Sequence, residues 1–170
     1  MAAGHRKPRS TETRSDFETR ATEGHHESLR LWLRLLTCSS LIETQIRQRL
    51  QAQFDTTLPR FDLMAQLERA PDGLKMGELS QRMMVTGGNV TGITDLLEKE
   101  GLVERVADLQ DRRALRVKLT RAGKRQFQHM AIAHERWVVE FFAGLESRVK
   151  TQLGALLSQL KRQLADQFNK

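Results

Sequence analysis

Apolar residues near the start of the chain recur at steps of three and four with polar residues between them, the spacing of one face of an α-helix. This pattern begins at Ser28, whose hydroxyl suits a helix N-cap, and continues to about Phe54. A second helix is expected to begin at Pro59, because the fixed backbone angle of proline suits a first helical turn. It should end before the turn Pro71-Asp72-Gly73. Its apolar residues are Phe61, Leu63, Met64 and Leu67.

The end of the chain repeats the long helical pattern. Residues 121–143 form one amphipathic stretch, and a helix of about six turns follows from Leu145 to Phe168. Long apolar faces at both ends of so short a chain need a surface on which to pack. We therefore expect residues 28–58 and 121–170 to form a helical dimerisation region.

The pattern changes to short elements between these helical regions. A brief helix over Glu78–Met83 is separated by Val85-Thr86 from a helix of about Gly87–Glu100. Two short helices across a tight turn are typical of a helix-turn-helix. Gly101 then suits the left-handed position that ends a helix.

Two short strands follow, separated by polar residues 107–113. Apolar residues define the first strand and alternate with basic ones in the second; they are Leu102, Val103 and Val106, then Leu115, Val117 and Leu119. The result is a β-hairpin with a charged tip, a wing. The predicted fold is mainly α with a small β-hairpin wing, in which residues 59–120 form a winged helix-turn-helix DNA-binding domain.

The second helix of the helix-turn-helix has two faces. Val90, Ile93 and Leu97 are expected to pack inward. The outward residues are Asn89, Thr91, Gly92 and Asp95. Amide and hydroxyl groups at the N-terminal end of a helix can read base edges in the DNA major groove, close to the positive end of the helix dipole.

The start of that helix carries further candidate contacts. Thr86 has the hydroxyl needed to cap the first turn. Gly87, Gly88 and Gly92 would let the backbone approach DNA closely, although an interior glycine weakens a helix.

Charge supports a polyanionic partner. The formal net charge is +7 and the isoelectric point is about 10.2. Residues 1–27, read as a mobile polar tail, hold five basic and five acidic side chains, so they contribute none of the excess. Residues 102–121 hold six basic and three acidic side chains, so part of the excess lies in the wing.

The wing tip carries the candidate minor-groove group. Asp111 stands two positions before Arg113 and can orient its guanidinium, with Arg112 between them. An arginine at a hairpin tip suits a narrow, electronegative minor groove. The alternative is a solvated turn with an internal ion pair.

The sequence lacks the signals that are typical of other classes of protein. No apolar run is long enough to cross a bilayer and no signal-peptide core is evident, so the cytoplasm is the expected location. His129 and His134 lie five residues apart on different faces of a helix, and no catalytic motif accompanies them, so no enzyme is expected. Cys38 is the sole cysteine and is interpreted as a small buried residue. No cofactor or metal is expected.

Taken with these features, the chain resembles the MarR family of bacterial transcriptional regulators over roughly residues 28–168. Two blocks carry the resemblance: Val85-Thr86-Gly87-Gly88-Asn89-Val90-Thr91 through Leu97-Glu98-Lys99-Glu100-Gly101-Leu102-Val103, and Asp111-Arg112-Arg113 through Thr120-Arg121-Ala122-Gly123. The resemblance implies a homodimer that binds a pseudo-palindromic double-stranded DNA operator.

The resemblance also assigns roles to residues. Thr86, Gly88, Asn89 and Thr91 match the family's major-groove positions, and Arg113, oriented by Asp111, matches its minor-groove arginine. Gly92 departs from the pattern, because many relatives carry a larger or basic side chain there.

The family's usual behaviour implies a repressor that a small aromatic, anionic effector releases from DNA. The stretch from Leu31 to Leu36 and the block from Val85 to Gly92 are similar to regulators of aromatic-acid catabolism, including those that respond to hydroxycinnamoyl thioesters of coenzyme A. An aromatic carboxylate or aromatic acyl-CoA is the expected effector. The candidate ligand residues are Arg30, Trp32 and Arg34, of which Trp32 could equally be a core residue.

Two alternatives use the same scaffold. One is a winged helix used only for protein assembly, in which the wing arginines would be dispensable. The other is a redox- or metal-responsive regulator, disfavoured by the single cysteine and the scattered histidines.

Overall fold

A computed structural model describes residues 27–108 and 114–168 of the chain. In chain order the elements of these residues are α1 (Glu27–Phe54), α2 (Leu58–Glu68), β1 (Leu74–Lys75), α3 (Met76–Met83), α4 (Gly87–Lys99), β2 (Val103–Ala107), β3 (Leu115–Leu119), α5 (Arg121–Phe141) and α6 (Ser147–Phe168). The predicted fold class, mainly helical with a small β wing, is confirmed.

The chain divides within α1 into two units, one ending at Gln45 and one beginning at Ile46. The described part of the first unit is a single helix that starts at Glu27, so the prediction of Ser28 as its N-cap is wrong. Cys38 is exposed, which contradicts its interpretation as a buried residue. A lone helix offers no second element against which its side chains can be buried.

The second unit has an apolar core built by all its elements except α6. The residues that form it are buried and include Leu50, Phe61, Leu63, Leu67, Leu79, Val90, Leu97, Val117, Met130 and Trp137. Every apolar residue expected on the second predicted helix is buried, although α2 begins at Leu58 rather than Pro59. On α6, by contrast, no residue is buried.

The wing is a three-stranded antiparallel sheet in the order β1-β3-β2, not a two-stranded hairpin. β2 and β3 pair from Val103 opposite Leu119 to Ala107 opposite Leu115, as the alternation predicted. β1 adds Leu74 opposite Val117. Two residues are too few to give a period-two pattern, so the sequence shows no signal for β1.

The segment between α4 and β2 is fixed by a helix-ending turn. Gly101 is left-handed, with φ of 71°, as predicted. Its N–H donates to the Glu98 carbonyl at 2.9 Å, and the Leu102 N–H donates to the Leu97 carbonyl at 2.9 Å. This pair of bonds is the Schellman motif, which closes the helix and turns the chain into the wing.

None of the helices in the described ranges is both long enough and apolar enough to cross a membrane.

Candidate nucleic-acid interface

Helix α4 has the two faces that the sequence predicts. Val90 and Leu97 are fully buried and Ile93 is half-buried, while Asn89 and Thr91 are exposed together with Gly92 and Asp95. Thr94 is also buried, and its hydroxyl donates to the Val90 carbonyl at 2.8 Å. The exposed face of the first two turns therefore carries an amide, a hydroxyl and no bulky side chain.

The first turn of α4 begins at Thr86, but the threonine hydroxyl does not cap it. Thr86 has the extended backbone of an N-cap, and its carbonyl accepts from the Val90 N–H at 3.3 Å. Its side chain makes no cap hydrogen bond, so the predicted hydroxyl cap is wrong. The backbone geometry alone starts the helix here.

The outward surface of α4 is sterically open at its glycines. A Cβ built on Gly87, Gly88 or Gly92 would meet nothing within 4 Å. The turn before the helix adds Met84, which is left-handed with φ of 54° and 92% exposed. At the three glycines the DNA backbone could therefore approach the backbone of α4 closely, beside the exposed Met84 side chain.

Arg105 of β2 joins the wing to α4. Its guanidinium donates to Asp95 at 2.5 Å and also to the carboxylate of Glu98, and its backbone N–H donates to Glu98 at 3.3 Å. The hydrogen bond to Asp95, followed by the charge of Glu98, raises the pKa of Arg105 above its ordinary value, while partial burial opposes the shift. This cluster could not be predicted from the sequence, because Arg105 is one of several basic residues in the wing.

A second polar cluster holds the base of the wing. The Asp108 side chain is 2% exposed and accepts from Arg116 Nε at 2.5 Å, with Lys75 Nζ at 3.7 Å. Arg116 also donates to the Gly73 carbonyl at 2.9 Å. These contacts tie β3 to the segment before α3.

Fewer basic side chains of the wing are available to bind phosphate than the sequence suggests. Arg105 and Arg116 are paired as described above, and Lys118 Nζ lies 3.4 Å from Glu104 on the neighbouring strand. Of the six basic side chains in residues 102–121, these three lie against carboxylates. The other three are Arg121, which is exposed at the start of α5, and Arg112 and Arg113, which lie outside the described residues.

The predicted tip residues Asp111, Arg112 and Arg113 lie outside the described residues. The strands on either side of them are placed: the Asp108 N–H donates to the Ala114 carbonyl at 2.9 Å. The tip therefore joins two strands that are already hydrogen-bonded at its base.

The predicted ligand residues occupy α1 in the first unit. Arg30 and Arg34 lie one turn apart and, with Glu27 and Leu31, line a shallow depression. Trp32 is not among the residues that line this depression. It is 57% exposed, so it is not a core residue in this structure. The helix places the two arginines together and Trp32 on another side.

The two histidines of α5 belong to an aromatic cluster. His129 lies 5.4 Å from the Phe54 ring, and His134 lies 5.0 Å from the Phe61 ring and 6.4 Å from Trp137. Burial lowers the pKa of His134 below its ordinary value. No group of three or more His, Cys, Asp or Glu side chains in the described residues could hold a metal ion.

The fold and these contacts define a winged helix-turn-helix protein, and comparison with known proteins makes the class more specific. A sequence profile of the MarR family matches residues 56–115. A MarR family transcriptional regulator from Silicibacter pomeroyi has a crystal structure that is 31% identical, with a TM-score of 0.72, and the match covers 85% of this chain and 99% of that one. The chain belongs to the MarR family of transcriptional regulators.

Two further relatives extend the comparison. PrsX of Escherichia coli, an HTH-type transcriptional regulator, is 38% identical over 72 residues, which are 42% of this chain and 43% of PrsX. The match thus spans less than half of that relative. CouR from Rhodococcus jostii RHA1 shares the fold at 19% identity, with a TM-score of 0.67 over 78% of this chain and 92% of CouR.

Proposed function

We propose that the protein is a dimeric repressor that inserts α4 into the major groove and the wing tip into the minor groove of a pseudo-palindromic operator. The observation that carries the proposal is the exposed, polar and sterically open start of α4, from Thr86 to Thr91, within a MarR-family fold. Donors and acceptors such as Asn89 and Thr91 suit base edges. The cytoplasm, where an operator is reachable, belongs to the same proposal.

The proposal assigns the wing tip to the minor groove. Arg105, Arg116 and Lys118 lie against carboxylates within the wing, and the tip residues Arg112 and Arg113 are its proposed DNA contacts. Asp111 is proposed to orient Arg113, as the resemblance to the family implies. An arginine presented in this way is favoured by the negative potential of a narrow minor groove.

The test of DNA binding is footprinting and titration on the DNA upstream of the protein's own gene. Wild-type protein should protect two half-sites about one helical turn apart, with an affinity that falls steeply as salt is added. Asn89→Ala should lose about tenfold or more in operator affinity, since a base contact is worth ~1–3 kcal/mol. Arg113→Ala should weaken binding to a similar degree and reduce the salt dependence.

The matched control is Arg136→Ala, which removes the same charge from an exposed position on α5. It should bind the operator like the wild type. An operator affinity that does not change with salt would exclude the proposed interface. Equal losses of operator affinity in Arg113→Ala and Arg136→Ala would exclude it as well. A wild-type protein that binds no operator would favour the assembly-module alternative, in which the wing arginines are dispensable.

The proposed effector is an aromatic carboxylate or an aromatic acyl-CoA. Support comes from the similarity of the α1 and α4 segments to regulators of aromatic-acid catabolism, and the CouR structure contains p-coumaroyl-CoA. Arg30 and Arg34 are proposed to bind its carboxylate or phosphate, and Trp32 its ring. Repeating the footprint with aromatic acids and their CoA thioesters should identify the compound that releases the operator; Arg34→Ala should then require more of it.

A further inference from the structure

The outward face of α4 continues past the proposed base-reading residues into an acidic pair. Asp95 lies one turn beyond Thr91 on the same face, and Glu98 follows three residues later. The Asp95 side chain is 57% exposed. Two carboxylates on a helix that must approach phosphates would repel the DNA.

Arg105 is the cation that these two carboxylates share. It reaches both from β2, with the fork geometry that lets one guanidinium satisfy two acceptors. Its side chain is 24% exposed, so the guanidinium is partly shielded from water, whereas the Asp95 side chain that it contacts is mostly exposed. The same contacts join the strand that leads to the wing tip with the helix that presents the base-reading residues.

We propose that Arg105 is a positioning residue that offsets part of the negative charge of Asp95 and Glu98 on the DNA-facing side of α4 and thereby ties the recognition helix to the wing. The inference rests on the proposed DNA-binding function. It makes the local charge of the recognition helix depend on one residue of the wing. Together Arg105, Asp95 and Glu98 carry a net charge of −1 in the wild type. Removing the arginine and removing the two acids should therefore change DNA affinity in opposite directions.

Four proteins separate charge from packing: the wild type, Arg105→Gln, the double variant Asp95→Asn/Glu98→Gln, and the triple variant that combines them. Arg105→Gln should lose about tenfold in operator affinity at about 0.1 M salt, where the Debye length is ~10 Å, because two carboxylates without their cation then face the phosphates. The double variant should bind more tightly than the wild type. The triple variant should return to within about threefold of it, and all differences should shrink as salt is raised.

The neighbouring pair of Lys118 and Glu104 supplies matched controls. Lys118→Gln and Glu104→Gln make the same charge changes, but in a pair that joins two strands and does not involve α4. Their effects on affinity should be smaller than those of Arg105→Gln and the double variant. Equal effects in the two pairs would overturn the proposal.

Other outcomes also contradict it. If Arg105 itself bound phosphate, the triple variant would stay as weak as Arg105→Gln. If the cluster served only packing, the double variant would bind more weakly than the wild type. Thermal unfolding of each variant verifies that the compared proteins are folded.

A measurement without DNA keeps this inference separate from the proposed function. Amide hydrogen exchange of the free dimer should be faster in the second half of α4 for Arg105→Gln than for the wild type, and unchanged there for Lys118→Gln. Unchanged exchange in Arg105→Gln would contradict the proposed link between α4 and the wing, whether or not the protein binds DNA. A wild type that binds no operator would instead refute the proposed function.

Discussion

His134 illustrates how a single packed residue makes stability depend on pH. Its ring lies near those of Phe61 and Trp137, and burial lowers its pKa below the ordinary value of 6.5. The unfolded chain therefore takes up a proton at higher pH than the folded chain does. As pH falls through 6.5, the folded state loses stability relative to the unfolded state, and the loss levels off below the folded pKa.

The measurement is urea unfolding at about pH 8 and about pH 5.5. His134→Phe keeps an aromatic ring in the cluster but cannot be protonated. We expect this variant to lose less unfolding free energy between the two pH values than the wild type does. An equal or larger loss in the variant would show that His134 does not cause this part of the pH dependence.

At the same scale, the sequence predicted which residues of α4 are exposed better than it predicted which cations are paired. The exposed positions of Asn89 and Thr91 follow from helical spacing alone, and they are confirmed. The partners of Arg116 do not follow from spacing, because the Gly73 carbonyl is 43 positions away along the chain. A count of charges within one segment cannot detect contacts that the fold makes between segments.

Among the elements, the start of α5 depends on a close approach to the end of α4. The Thr120 hydroxyl accepts from the Gly123 N–H at 3.0 Å and donates to the Gly101 carbonyl at 2.7 Å. Gly123 packs directly on Leu102, whose carbonyl oxygen would lie 1.9 Å from an added Cβ. A side chain at this position requires the backbones of two elements to separate.

Gly123→Ala should therefore lower the free energy of unfolding by about 3 kcal/mol, near the upper end of the usual cost of overpacking. Chemical denaturation measures this change. The control is Gly92→Ala in α4, where an added Cβ meets nothing within 4 Å. The control should gain up to about 1 kcal/mol, because alanine favours a helix interior. A Gly123→Ala protein as stable as the wild type would contradict the tight contact.

Elements with a clear period were predictable, and those without one were not. Helix α4 and strands β2 and β3 lie within one or two residues of their predicted bounds. Strand β1 has only Leu74 and Lys75, and it exists because β3 offers it a partner rather than because of its own pattern. Tertiary pairing of this kind leaves no local signal.

At the scale of the whole molecule, the exposed apolar face of α6 is the surface of the second unit that most needs a packing partner. Leu156 is 57% exposed and Leu164 is 40% exposed on a helix with no buried residue. Most of the stability of an amphipathic helix in a protein comes from packing of its apolar face, so this face needs a partner. We propose that a second copy of the chain covers this face, as the prediction of a dimerisation region requires.

Leu156→Glu/Leu164→Glu tests the dimer, because both charges would have to be buried at the proposed interface. Sedimentation velocity should show a monomer, and operator affinity should fall because two half-sites are no longer bound together. Thr151→Glu/Ser158→Glu adds the same two charges on the opposite side of α6, where both hydroxyls bond only to the helix backbone four residues earlier. That control should remain a dimer that binds the operator. A dimer in the leucine variant would mean that α6 is not the interface, whereas a monomeric variant with undiminished affinity would mean that one winged helix-turn-helix suffices for DNA binding.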